Sequence, residues 1–262
     1  MFSKIKNKLI FLLFFLLISI LVGLNKTSTQ LIGINFKVTE YEIPLYLKLY
    51  NFYGRHLNYD SLVIQIIKNS QNDKDKVVQL SKWIINNIQK IPKGIDIVDS
   101  HPLTIVERRL GTEDQFADLL SVLLVYADID SFFWHGKDNQ LKSALTFFKL
   151  NGEWSIIDPY YGIMFLNLQT EMASIDELKS EKWKIVTLDM EPVNMENFKI
   201  IFNSKFDDIE QVMEYYTKQF KQTPTQEIID MTSLFDLGGR SYIQSPLGRF
   251  KFALNGLKNR IF

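Results

Sequence analysis

Hydrophobic residues recur along this chain with different spacings, and each spacing predicts a different kind of element. An uncharged apolar run over residues 9–24 contains only Ser19 as a hydroxyl residue, and it predicts a helix that enters lipid. Apolar residues three and four positions apart predict helices, most clearly over 116–127, where the pattern has no interruption. Short runs rich in aromatic and β-branched residues predict strands. A chain that combines helices with a sheet is therefore expected.

Five further helices are expected from the same helical spacing. The first is interrupted near Gly54, and the second is capped by Asn72 or Asp73 and stopped by Pro92 and Gly94. Their ranges are 45–67, 73–91, 175–179, 207–220 and 225–235.

Strands are predicted mainly between the uninterrupted helix and residue 190. Their ranges are 131–135, 143–150, 153–157, 163–166 and 183–188. Asn151 and Gly152 form a two-residue hairpin turn between two of them. A second hairpin, around the proline turn at 245–248, is expected over 241–254.

The sequence indicates the exact residue at which the uninterrupted helix begins. Thr112 and Gln115 have the Thr-x-x-Gln spacing of a capping box, in which each side chain bonds a free backbone N–H of the other residue. The helix is therefore predicted to begin at Glu113 and to form the buried centre of the fold.

These elements divide the chain into four segments. A membrane helix occupies 1–24, and a polar tether with a short strand near 32–38 occupies 25–44. The main domain covers 45–190, and a C-terminal helical and hairpin extension covers 191–262.

Composition removes several classes of function. The 30 basic and 30 acidic residues cancel, so the whole chain has no field that would attract nucleic acid. The sequence contains no cysteine, which excludes disulfides, thiolate metal sites and a cysteine nucleophile. No metal is expected either, because His56 and His101 lack partners at metal-ligand spacing, and no cofactor motif is present.

The N-terminal apolar run could be a signal peptide or an uncleaved anchor. Its sixteen residues reach about 24 Å as a helix, near the short limit for a span. No small-x-small cleavage pattern follows, which favours the anchor. Three lysines precede the run, at positions 4, 6 and 8, and Lys26 alone follows it closely. The N-terminus is therefore predicted to be cytoplasmic, with residues 25–262 periplasmic or extracellular.

Two segments resemble the transglutaminase-like, papain-related cysteine enzymes. One is Gly111-Thr112-Glu113 at the start of the central helix, and the other is the strand of residues 152–159, which carries Trp154 and ends in Asp158-Pro159. The resemblance covers roughly residues 72–166. It implies an α+β fold in which the central helix packs on an antiparallel sheet.

The resemblance also implies that the catalytic residues have been replaced. By position, the cysteine site is Glu113, the histidine site is Ser143, and the aspartate site is Asp158, the only one retained. A carboxylate is a much weaker nucleophile than a thiolate. The protein is therefore expected to be a noncatalytic pseudoenzyme that binds or scaffolds components of the cell envelope, in polysaccharide or peptidoglycan assembly. Its candidate groove residues are Trp134, His135, Trp154, Tyr160 and Tyr161.

Two alternatives stay open at this point. Glu113 and Asp158 could act as the acid and base of a glycosidase-like hydrolase. This would need a raised pKa at Glu113, whereas a helix N-terminus favours the ionised form and is expected to keep that pKa low. The other alternative is an interaction module that docks through a basic tail. The tail residues are Arg240, Arg249, Lys251, Lys258 and Arg260.

Overall fold

The computed structural model of the chain describes residues 2–34, 37–92, 94–95, 101–135, 144–202, 205–231, 246–248 and 250. The chain divides into two compact units. The first comprises Met1–Leu57 with Asp96–His101, and the second comprises Asn58–Ile95 with Pro102–Phe262.

The first unit contains the apolar N-terminal helix and a β-hairpin. Helix α1 covers Phe2–Leu24, strands β1 and β2 cover Thr27–Ile34 and Lys37–Pro44, and helix α2 begins at Leu45. The predicted tether thus forms an antiparallel hairpin, with Thr27 opposite Pro44. Within α1, residues Asn7–Leu24 have a mean hydropathy of 2.5, so the helix is long and apolar enough to cross a membrane. A signal sequence has the same properties.

Helix α2 differs from its prediction. It covers Leu45–Ile67 without a break, so the interruption expected near Gly54 does not occur. A single glycine inside a helix costs only about 1 kcal/mol, which the remaining 22 residues of α2 tolerate.

Three helices form one layer of the second unit together with the end of α2. Helix α3 covers Asp73–Asn87, α4 covers Pro102–Arg108 and α5 covers Glu113–Tyr126. The prediction that α3 continues to residue 91 was wrong, because Ile88 has extended backbone and residues Gln89–Lys90 form strand β3. Strand β3 pairs in parallel with strand β4, Leu110–Gly111. Helix α4 and strands β3 and β4 had no counterpart in the sequence prediction.

The sheet of the second unit has five strands in sequential antiparallel order. They are β5, Ser131–His135; β6, Ala144–Leu150; β7, Glu153–Asp158; β8, Ile163–Leu166; and β9, Lys184–Thr187. The turn between β6 and β7 was predicted correctly. Asn151 and Gly152 both have positive φ, 52° and 87°, as a tight two-residue turn requires.

Both faces of this sheet are covered by helices. Phe148, Ile157 and Met164 belong to a core shared with α3 and α5, and α5 packs directly on β5 and β6. The alternate residues, including Phe147, Ile156 and Phe165, belong to a second core. That second core is closed by α6, Ile175–Lys179; α7, Met195–Phe202; α8, Ile209–Gln222; and α9, Gln226–Met231. A mixed helix and sheet fold is therefore confirmed.

Helices α7 and α8, which follow residue 190, are an integral part of the second unit. Phe198, Phe202, Tyr216 and Phe220 are all buried in the second core, so α7 and α8 are required to cover the sheet. Of the predicted C-terminal hairpin over 241–254, only residues 246–248 and 250 are described, and these have helical backbone. The rest of that hairpin lies outside the described residues.

Candidate functional site

Glu113 is the first residue of α5, as predicted. The Gln115 side chain accepts a hydrogen bond from the Thr112 backbone N–H at 3.1 Å, which fixes the helix start. The Thr112 hydroxyl donates to the Asp114 carboxylate. Arg108 of α4 donates to the same Gln115 oxygen at 2.7 Å, so the cap is also tied to the preceding helix. These bonds hold the Glu113 backbone in one position.

Lys90 is brought beside this helix start by the short β3–β4 pairing. Gln89 N donates to Arg109 O at 2.8 Å, and Ile91 N donates to Gly111 O at 3.2 Å, on either side of Lys90. The Lys90 ammonium lies over the ring of Tyr160 at 4.4 Å and over that of Tyr161 at 4.9 Å. Cation–π contacts of this length are attractive.

Asp158 ends β7 and is fully buried, with 0% of its surface exposed. One carboxylate oxygen accepts from the backbone N–H groups of Tyr160 and Tyr161, at 3.0 and 3.1 Å. The other accepts from the Tyr216 hydroxyl of α8 at 2.7 Å. Both oxygens are therefore engaged by protein donors, in the way that buried carboxylates are normally satisfied.

Lys205, which lies between α7 and α8, forms an ion pair with Glu113. Its ammonium is 3.3 Å from a Glu113 carboxylate oxygen and 3.3 Å from the Tyr215 hydroxyl. The rings of Tyr161, Phe206 and Tyr215 lie within 4.9 to 5.6 Å of the same ammonium. The Glu113 and Lys205 side chains are only 21% and 33% exposed. This pair is therefore better shielded from water than an ordinary surface ion pair.

We call Lys90, Glu113, Asp158, Lys205 and Tyr216 the carboxylate cluster. The pKa of Glu113 is raised to about 7, first by burial and then by the nearby charge of Asp158, while Lys205 acts in the opposite direction. Burial also raises the pKa of Asp158 and lowers that of Lys90. The two lysines and the two carboxylates are therefore close enough for their charges to interact.

The pKa of Glu113 differs from the sequence expectation. A helix N-terminus alone would have kept it low. In the structure α5 begins inside the fold, and desolvation of the Glu113 carboxylate and its repulsion from Asp158 raise the pKa.

The other predicted groove residues lie in different surroundings. Tyr160 and Tyr161 adjoin the carboxylate cluster, but Trp134 and Trp154 are each 3% exposed and pack in the second core. The Trp154 indole N–H donates to Asp230 of α9 at 3.0 Å. These two tryptophans are core residues and do not form groove walls.

Several predicted residues lie outside the described part of the chain. They are Ser143, the His135 side chain and all five basic residues of the tail.

Three residues of the carboxylate cluster were missed by sequence reasoning. Lys90 follows the apolar stripe of α3, and Lys205 and Tyr216 belong to the segment that was predicted to be a separate extension. No local motif marks any of them, because each reaches the cluster only through tertiary packing.

Replacing Lys205 by methionine is expected to destabilise the chain by about 1–3 kcal/mol at pH 8, because it leaves a half-buried Glu113 carboxylate without its counter-charge. At pH 5 the loss is expected to be smaller, since Glu113 is then mostly protonated. Urea unfolding of the full chain in detergent at both pH values measures the difference.

Lys218→Met is the matched control for Lys205→Met. Lys218 pairs with Glu214 on the surface of α8, where both side chains are about 60% exposed, and it should change stability by less than about 0.5 kcal/mol. Equal losses for Lys205→Met at pH 5 and pH 8 would show that the ion pair is not the source of its effect.

Comparison with known proteins gives limited similarity. No known family profile matches the chain, and no curated protein matches it. Among solved structures, it is similar to a putative protease from Parabacteroides distasonis ATCC 8503, with 14% identity over 64% of this chain and 40% of that one, at a TM-score of 0.31. It is also similar to a putative cysteine protease from Cytophaga hutchinsonii, with 18% identity over 52% of this chain and 48% of that one, at a TM-score of 0.36. The chain thus spans less than half the length of either protein.

Proposed function

We propose that this protein is a membrane-anchored, extracytoplasmic pseudoenzyme of the transglutaminase-like, papain-related type. In this proposal it is a noncatalytic binding or scaffolding component of the cell envelope, acting in polysaccharide or peptidoglycan assembly. The central helix packed on an antiparallel sheet agrees with that fold. The family assignment itself depends on the residues around Glu113 and on the segment ending in Asp158-Pro159.

The strongest support for the loss of catalysis is the residue at the start of α5. The helix start that would carry a thiolate carries Glu113, which is paired with Lys205, in a chain without cysteine. Acyl transfer needs a nucleophile that attacks the carbonyl and a base that accepts its proton. A carboxylate is a much weaker nucleophile than a thiolate, so Glu113 does not replace the missing cysteine in this reaction. The ion pair instead joins the start of α5 to the segment between α7 and α8.

The proposed ligand surface is formed by Tyr160 and Tyr161. Both rings are only partly buried, and Lys90 lies over them at 4.4 and 4.9 Å. Partly exposed aromatic rings beside cations suit sugars and peptides, because they offer apolar faces together with polar edges. Anchoring through residues 9–24, with the N-terminus cytoplasmic, would hold this surface on the outer side of the membrane.

Purification from the source membranes in mild detergent, followed by mass spectrometry of proteins and glycans that accompany the chain, tests this proposal. We expect envelope-assembly proteins or envelope glycan fragments with the wild-type chain. Tyr160→Ala should reduce their recovery several-fold, because it removes one of the two rings. Tyr41→Ala, which removes an exposed tyrosine of β2, is the control and should leave recovery unchanged. Equal recovery with both variants would contradict the proposed ligand surface.

A hydrolase is the second candidate, and the pKa of Glu113 favours it. A carboxyl group with a pKa of about 7 can donate a proton at neutral pH, as the general acid of a glycosidase does. The burial of Asp158 opposes it, since a carboxylate with 0% exposure and three protein donors cannot activate a water molecule or attack a sugar. Docking through the basic tail stays a further prediction, because that tail lies outside the described residues.

A further inference from the structure

The first turns of α2 present a tyrosine-rich apolar face to solvent. Tyr46, Leu49, Tyr50, Tyr53 and Leu57 are 48% to 73% exposed. Their spacing of i, i+3, i+4, i+7 and i+11 places them within a band about 100° wide along one side of the helix. Exposed apolar side chains that form such a continuous band indicate a contact surface.

This face begins immediately beside the end of α1. Leu45 N, at the start of α2, donates to Lys26 O at 2.9 Å, and Lys26 is the second residue after α1 ends at Leu24. The β1–β2 hairpin closes the same junction, since its open end pairs Thr27 with Pro44. Any bilayer that α1 crosses therefore has its surface at the first turn of α2.

The opposite side of α2 is already occupied. The Lys48 ammonium donates to Thr29 O at 2.6 Å and to the Ser28 hydroxyl at 3.1 Å, which ties that side to the hairpin. The tyrosine-rich face therefore points away from the hairpin.

We infer that the face formed by Tyr46, Leu49, Tyr50, Tyr53 and Leu57 lies on the lipid surface, in the interfacial layer of the bilayer that α1 enters. The inference depends on the proposed membrane anchor. The residue types fit this layer, because tyrosine rings concentrate where an apolar body meets lipid and a hydroxyl meets water, and leucine extends into the acyl region.

The length of the face determines how α2 lies. Eleven residues separate Tyr46 from Leu57, which is about 16 Å along a helix. The interfacial layer on each side of a bilayer is only about 5–8 Å thick. The whole face can contact lipid only if this part of α2 lies along the membrane surface, as amphipathic interfacial helices do.

Spin labels at single cysteines test the inference directly, and the chain without native cysteine allows each label to be placed alone. Four full-length variants are reconstituted in phosphatidylethanolamine and phosphatidylglycerol vesicles: Tyr50→Cys, Tyr53→Cys, Phe15→Cys and Glu210→Cys. Glu210 lies exposed on α8 and serves as the aqueous control. Accessibility to oxygen, which dissolves in lipid, is compared with accessibility to a water-soluble nickel chelate.

Labels at Tyr50 and Tyr53 should give an oxygen-to-nickel ratio several-fold above that at Glu210. A ratio equal to that of Glu210 overturns the inference. Exclusion of both probes also overturns it, because this indicates burial against a protein or a second copy of the chain. The Phe15 label tests the anchor separately. If the Phe15 label lies at the bilayer centre while the labels at Tyr50 and Tyr53 are exposed to water, only the lipid-contacting face is contradicted. If the Phe15 label is also exposed to water, the membrane anchor is contradicted as well.

Discussion

Replacing Asp158 by alanine is expected to lower the free energy of unfolding by about 3–5 kcal/mol, comparable to breaking a buried ion pair. The change leaves the buried Tyr216 hydroxyl and the backbone N–H groups of Tyr160 and Tyr161 without their acceptor. Each buried donor left unsatisfied costs about 1–3 kcal/mol, and relief from burying the carboxylate offsets part of the total. Urea unfolding of the full chain in detergent measures the loss.

Two further variants define the source of the Asp158→Ala effect. Tyr216→Phe removes one of the three hydrogen bonds and should cost about 1.5–3 kcal/mol. Asp189→Ala removes an exposed carboxylate that pairs with Lys82 on the surface, and should cost at most about 1 kcal/mol. If Asp158→Ala were no more costly than Asp189→Ala, Asp158 would not be the buried acceptor described above.

Glu113→Gln is expected to stabilise the chain at pH 8 by about 3 kcal/mol and to leave it almost unchanged at pH 4. Burial raises the pKa of Glu113 from 4.5 to about 7, and each pKa unit corresponds to about 1.4 kcal/mol. Glutamine resembles the protonated carboxyl group that the folded chain prefers. The expected gain is large because the side chain is only 21% exposed.

The pH dependence of that gain has a definite sign. Below about pH 4.5 Glu113 is protonated in both the folded and the unfolded chain, and the stability contributed by the protonated side chain is fully present. Between about pH 4.5 and pH 7 only the unfolded chain releases the proton, so this contribution is lost as the pH rises. Unfolding free energies measured from pH 4 to pH 8 should therefore diverge between wild type and Glu113→Gln.

Glu210→Gln is the matched control for this pH series. Glu210 also lies in the first turn of a helix, α8, but is exposed. Its replacement should remove only the favourable helix-terminus interaction of about 0.3–1 kcal/mol. Parallel stability curves for wild type and Glu113→Gln would contradict the raised pKa and the burial that causes it.

The parts of the fold that local chemistry determines could be predicted from the sequence. The start of α5 depends on Thr112 and Gln115, which are three residues apart, and the β6–β7 turn depends on adjacent Asn151 and Gly152. Both patterns act within a few residues, so they are visible without tertiary structure. Short runs rich in aromatic and β-branched residues likewise predicted the five strands of the sheet.

The end of α3 shows where periodicity alone fails. Ile88 and Ile91 continue the helical spacing, yet the backbone becomes extended at Ile88 because Gln89 and Lys90 pair with β4. That pairing joins residues about twenty positions apart. A local apolar pattern cannot show which of the two structures is more stable.

The candidate site was predictable only in part, for the same reason. Glu113 and Asp158 were identified from motifs, and the structure brings them close enough for their charges to interact. Their partners are distant in sequence: Lys205 is 92 residues from Glu113, and Tyr216 is 58 residues from Asp158. The raised pKa of Glu113 results from burial and from the charge of Asp158, whereas the sequence indicated only the helix terminus.

The central proposal is that Glu113, at the start of α5, performs no chemistry in this protein. The most direct test incubates the purified full chain and its Glu113→Gln variant with isolated peptidoglycan and envelope polysaccharide, and measures released fragments by mass spectrometry. The account predicts that neither chain releases fragments above a protein-free blank. Fragments released by the wild-type chain, but not by Glu113→Gln, would contradict it and would identify Glu113 as a catalytic acid.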